Sequence, residues 1–127
     1  MKFAFALTAS LLLAAPALAA DAPSLLATWS GQTEGVGVQD GWKQGPVTLV
    51  IGEQRGHAFT GTATYPEAGG EATSDIYGTV ALDGRTVFIA DDDGAYAGTV
   101  VGQTLSLCYV ESGPDASTKC LEATLQK

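Results

Sequence analysis

The chain has 127 residues, with 14 acidic against 6 basic side chains, a single His and a formal net charge of −8. That length suits one domain with one hydrophobic core, and without a cluster of Lys or Arg it lacks the counterion-releasing contacts that nucleic acid or anionic lipid requires. One His and two Cys also fall short of a four-ligand tetrahedral metal centre, so neither a metal nor another cofactor is expected.

The chain opens on Met1-Lys2, a short positive stretch, followed by the apolar run Phe3–Leu13 and the small residues Pro16-Ala17-Leu18-Ala19-Ala20. This is the pattern of a secretory signal peptide cut after Ala19 or Ala20. The apolar run is too short to cross a bilayer. Residues 1–20 are therefore expected to serve export, and residues 21–127 to form a single domain in a periplasm or outside the cell, with no membrane association after cleavage.

The exported part is rich in Gly, Thr, Val and Ala and shows no helical stripe. Short alternating runs separated by Gly and Asp recur every dozen residues or so, which predicts an all-β fold of eight strands. The first is Leu25–Gln32, with Leu25, Ala27 and Trp29 on one face. Thr33–Gly45 reads as the longest loop, with Trp42 near its end. Val47–Glu53 is the second strand, carrying Val47, Leu49 and Ile51 inward, and Gln54-Arg55-Gly56 is a tight turn. His57–Tyr65 is the third, with Phe59, Gly61, Ala63 and Tyr65 inward and Thr60, Thr62 and Thr64 on a solvated face, where β-branching favours the strand. After a loop, Pro66–Glu71, the fourth strand runs Ala72–Leu82, with Ile76, Gly78, Val80 and Leu82 inward. Asp83-Gly84 signals a hairpin into the fifth strand, Arg85–Ala90. Asp91–Gly94 turns the chain into the sixth, Ala95–Val101. Short links join antiparallel neighbours, so the expected topology is an up-and-down meander closing into an antiparallel eight-stranded barrel.

The last two strands come from Thr104–Gln126. Reflected about Pro114, Cys108 faces Cys120, Leu107 faces Leu121, Leu105 faces Ala123 and Tyr109 faces Lys119. Directly opposed residues share a face and successive residues alternate. One register therefore aligns Leu105, Leu107, Tyr109, Leu121, Ala123 and Leu125 inward and both cysteines outward. In an exported chain the two cysteines predict one disulfide, stabilising by about 3 kcal/mol in the chain-entropy picture.

Ala27-Thr28-Trp29 and Phe59-Thr60-Gly61-Thr62 resemble the avidin/streptavidin pattern, a Gly-Thr-Trp strand followed by a Leu-Thr-Gly-Thr-Tyr strand. The early Trp is also shared with lipocalin-like barrels. The resemblance covers about the first half of the exported chain and implies an up-and-down barrel with a ligand at its mouth. It does not imply biotin: this chain has Gly31, Gly35 and Ala63 where that family places Asn, Ser and Tyr.

No motif supports catalysis. The serines lie in no G-x-S-x-G context, His57 reads as a solvated turn residue, and Asp91–Gly94 lacks the ligands of a calcium loop and has the composition of a turn. The expectation is thus a non-enzymatic binding protein. Trp29, Phe59, Tyr65 and Tyr109 on the inward faces would line a small, partly apolar ligand, with Trp42 on a covering loop. Those aromatics serve equally to fill a small barrel. The alternative is a periplasmic protein-interaction module or inhibitor acting through exposed loops such as Ser112–Thr118, the disulfide-clamped tip.

Overall fold

The period-two alternation resolves, in a computed structural model describing residues 21–127, into eight antiparallel strands. These are β1 (Ala27–Gly37), β2 (Gly41–Arg55), β3 (Ala58–Glu67), β4 (Gly70–Val80), β5 (Thr86–Ala90), β6 (Ala95–Val101), β7 (Thr104–Glu111) and β8 (Ser117–Leu125). Each pairs with its neighbour in sequence, and β8 returns to pair with β1, so the sheet is a closed up-and-down barrel. Closure leaves no edge strand. The export segment expected over residues 1–20 lies outside the described residues.

The hairpin register holds residue for residue: Leu105 pairs with Ala123, Leu107 with Leu121, Cys108 with Cys120 and Tyr109 with Lys119. The cysteines form a disulfide on the outer wall, Cα to Cα 4.0 Å, and such a bond fits an oxidising compartment. The inward row and its counterparts on the other strands, including Trp29, Leu49, Ile76, Val87 and Leu105, are buried in one cluster. The barrel is filled with side chains over most of its length rather than hollow.

Several sequence-based boundaries need correction. Thr33–Gly45 is almost wholly strand, reduced to a turn at Val38–Asp40. Its glycines signal close packing rather than a loop: a Cβ on Gly35 would lie 2.3 Å from the Thr118 carbonyl oxygen of β8. Pro66–Glu71 likewise shrinks to a turn between Glu67 and Gly70. Strand four ends at Val80, so Leu82, expected inward, sits in the following turn and is exposed. At the other end Leu25 precedes β1 yet is buried in the core.

A β-bulge at Gly52 explains how the Leu25 end is sealed. The β2–β3 register shifts between Ile51 and Glu53. The extra residue flips the alternation, as bulges do, so Glu53 is exposed while Gln54 is half-buried. The strand continues to Arg55, where a turn was expected from Gln54. Gln54 Oε1 accepts the Leu25 N–H at 2.7 Å, and its Nε2 donates to the Pro23 carbonyl at 2.9 Å. Trp29 Nε1 donates to the Leu25 carbonyl at 3.0 Å. The segment before β1 is thereby tied across one end of the barrel as a plug, and the opposite end is left open.

Candidate functional site at the open end of the barrel

At the open end the inward rows of β3, β6, β7 and β8 finish on Tyr65, Tyr96, Tyr109 and Lys119. Lys119 is inward because it opposes Tyr109, and only 7% of its surface is exposed. Its Nζ lies 3.6 Å from the centroid of the Tyr65 ring, 4.7 Å from that of Tyr109 and 6.0 Å from that of Tyr96. An ammonium over aromatic faces is held by the ring quadrupole, which acts most strongly where water is excluded. Tyr96 and Tyr109 support each other, with centroids 4.6 Å apart and planes tilted by 52°.

Two glycines make this crowding sterically feasible. A Cβ on Gly35 would come within 2.5 Å of the Lys119 Cβ, and one on Gly94 within 2.7 Å of the Tyr109 ring. Two of the hydroxyls have side-chain partners. Tyr65 Oη and Ser74 Oγ are 3.0 Å apart, and Tyr109 Oη donates to Asp91 Oδ1 at 3.4 Å. The same Asp91 oxygen accepts the N–H groups of Asp93 (2.9 Å) and Gly94 (2.8 Å), the side-chain-capped turn its composition predicts.

The electrostatics follow from burial. Desolvation above all, then the nearby Lys43, lowers the Lys119 pKa to about 8, against the weaker opposing pull of the Asp91, Glu67 and Glu111 carboxylates. Desolvation, reinforced by Asp91, holds the phenols of Tyr96 and Tyr109 above their ordinary value, and burial raises Tyr65 too. Lys43 is paired with Asp40 at 2.8 Å. Lys119 takes part in neither ion pair among the described residues. Every fully buried polar side-chain atom among them has a hydrogen-bond partner, so the unpaired Lys119 ammonium keeps contact with the space above it. That space is a cavity of about 140 Å³ bounded by Lys119, Tyr65, Tyr109 and Lys43, with Glu67, Asp93, Glu111 and Asp115 around it.

The residues expected to line a ligand are therefore split by the fold. Tyr65 and Tyr109 share the cup. Trp29 and Phe59 are buried in the filled part, Trp29 against Leu25 and Phe59 with its ring over Gly78. Trp42 is on no covering loop: it stands in β2 opposite Val36 and is 87% exposed. Lys119 and Tyr96 were not singled out from the sequence. The signal for Lys119 was present in the hairpin register, which puts a lysine in an otherwise apolar inward row.

Other candidates lie elsewhere. His57 is half-buried rather than solvated, with Nδ1 2.9 Å from the Val80 carbonyl near the plugged end. The hairpin tip Ser112–Ala116 is joined to the β1–β2 turn: Val38 N–H donates to the Ala116 carbonyl at 3.0 Å, and Gln39 Nε2 donates to Asp115 Oδ1. A larger, shallow depression of about 700 Å³ runs over the outer wall past Tyr77, Phe88, Val110 and Cys108. It is apolar, and no charged side chain converges on it. Among the described residues no three His, Cys, Asp or Glu side chains form a metal-binding group. Compared with protein-family models, with curated proteins and with solved structures, the chain shows no match.

Proposed function

We propose that this is an exported, non-enzymatic binding protein, periplasmic or secreted, that holds a small ligand at the open end of the barrel. The observation carrying this reading is Lys119, an almost fully buried cation without an acidic partner, aimed into a cavity. A buried charge without a partner is costly, and an anionic group entering the cup would offset that cost. The signal-like residues 1–20 and the disulfide support export. The avidin-like sequence pattern supports a ligand at a barrel mouth, without the groups that bind biotin.

The cup admits a smaller and more polar ligand than the sequence alone implied, because Trp29 and Phe59 are spent in the core. The test is a heteronuclear NMR titration with small anions and polar metabolites, comparing the wild type with Lys119→Met. Shifts confined to Tyr65, Tyr96, Tyr109 and their neighbours, and lost in the variant, support the reading. No perturbation of the cup by any compound would overturn it.

A second reading, docking to a partner protein, is favoured by one observation. Trp42 is 87% exposed on the outer wall beside Val36, and an exposed Trp is more typical of interfaces than of free surface. A stoichiometric partner recovered from envelope extracts and lost on Trp42→Ala would favour this reading over the first.

A further inference from the structure

Around the mouth of the cup stand three carboxylates from three separate places in the chain: Glu67 at the end of β3, Asp93 in the β5–β6 turn and Glu111 at the end of β7. Among the described residues none of the three pairs with a cation or has a side-chain hydrogen bond, whereas Asp40 is neutralised by Lys43, Asp91 caps its turn and Asp115 takes Gln39. Below them is the unpaired ammonium of Lys119, 7% exposed on the tyrosine faces. The site therefore has a positive floor and a negative rim.

That layering selects against singly charged ligands. A simple anion attracted to Lys119 must pass and then remain near three like charges. A simple cation drawn to the rim meets the unpaired Lys119 below it. Like-charge opposition of this kind is how sites reject near-misses. A molecule carrying both charges, entered anion first, satisfies both layers. The cavity of about 140 Å³ is well below the roughly 300–1,000 Å³ of pockets that hold drug-sized ligands, so it suits a small occupant.

Building on the binding reading above, we infer that the cup is a site for a small zwitterion of the α-amino acid type, its carboxylate on Lys119 and its ammonium among Glu67, Asp93 and Glu111. The tyrosine rings fix the lysine from the sides and leave its N–H groups directed at the incoming carboxylate. The phenols, held protonated by burial, add no competing negative charge to the floor.

The test uses the full exported chain and small probes that dissect the two charges: glycine, alanine and serine, against propionate and propylamine. The amino acids should shift the Tyr65 and Tyr109 resonances, with propionate and propylamine binding at least about tenfold more weakly. Lys119→Met should weaken the amino acids by about tenfold to a hundredfold, the range of a hydrogen-bonded charge contact. The triple variant Glu67→Gln, Asp93→Asn, Glu111→Gln changes only the rim, where Glu67 and Asp93 are exposed and Glu111 half-buried. It should lose the preference by admitting propionate and weakening alanine. Propionate binding the wild type as tightly as alanine would overturn the zwitterion assignment while leaving an anion-binding cup. No response of the cup to any amino acid would overturn the zwitterion assignment, and silence toward every small anion and polar metabolite as well would overturn both readings.

Discussion

Lys119 sits in an environment at odds with its chemistry. An amine that holds its proton to about pH 10.5 in the unfolded chain lets go at about 8 in the barrel. Below pH 8 both states are protonated, and the fold carries the full cost of the buried charge, on the order of 2 kcal/mol once the open mouth is allowed for. Between 8 and 10.5 the unfolded chain binds more protons, so stability rises with pH through that window. Above about 10 the tyrosines reverse the slope, because unfolded phenols ionise while the buried ones resist. Lys119→Met should therefore be more stable than the wild type at pH 7 by on the order of 2 kcal/mol, with the gap closing toward pH 10.5. Denaturant unfolding of both proteins across pH 6–11 measures this, and a pH-independent gap would refute it.

At the scale of the strand, glycine does two different jobs that look alike in sequence. In β1, Gly31 faces inward where β8 crosses so closely that a Cβ would sit 1.8 Å from the Glu122 carbonyl oxygen. Gly61 and Gly98 meet neighbouring carbonyls at 2.1 and 1.9 Å. These are the points where strands coil tightly enough to close a narrow ring, and they also bar an Asn at position 31 of the avidin kind. Gly52, at the bulge, has nothing within 4 Å. Gly31→Ala should cost at least about 3 kcal/mol, since backbone rather than a movable side chain is in the way. Gly52→Ala should stay within about 0.5 kcal/mol. Paired chemical-denaturation curves decide it, and equal effects at the two sites would refute the distinction. The same ambiguity is why Thr33–Gly45 reads as a loop: glycine density signals both a turn and a close strand crossing, and only the partner strand tells them apart.

For the molecule as a whole, alternation and turn chemistry suffice to predict eight strands, their order and the β7–β8 register, because the inward period is strict and each link is short. The bulge at Gly52, the plug at Leu25 and the closed end are not legible, since each depends on a contact between distant segments: Leu25 with Gln54, Trp29 with Leu25. Half the cup was legible as Tyr65 and Tyr109. Trp29 and Phe59 were assigned to it because periodicity gives the face of a residue and not its height along the barrel axis. The disulfide acts at this larger scale too. Both of its strands are also hydrogen-bonded to outer neighbours, β7 to β6 and β8 to β1, so Cys108→Ser with Cys120→Ser should keep the barrel. It should lower stability by about 2–3 kcal/mol. Circular dichroism with thermal melts checks both halves, and loss of the strand signal at room temperature would refute the first.

The pairing of β8 with β1 sets an order of events. Thr33, early in the chain, donates its hydroxyl to the Cys120 carbonyl at 3.0 Å, and the β1 backbone partners run on to Leu125. A polypeptide emerging amino terminus first must leave β1 bare along one side until β8 arrives. The tyrosine cup, built on β8 through Lys119, cannot exist until β8 has been made and has paired with β1 and β7.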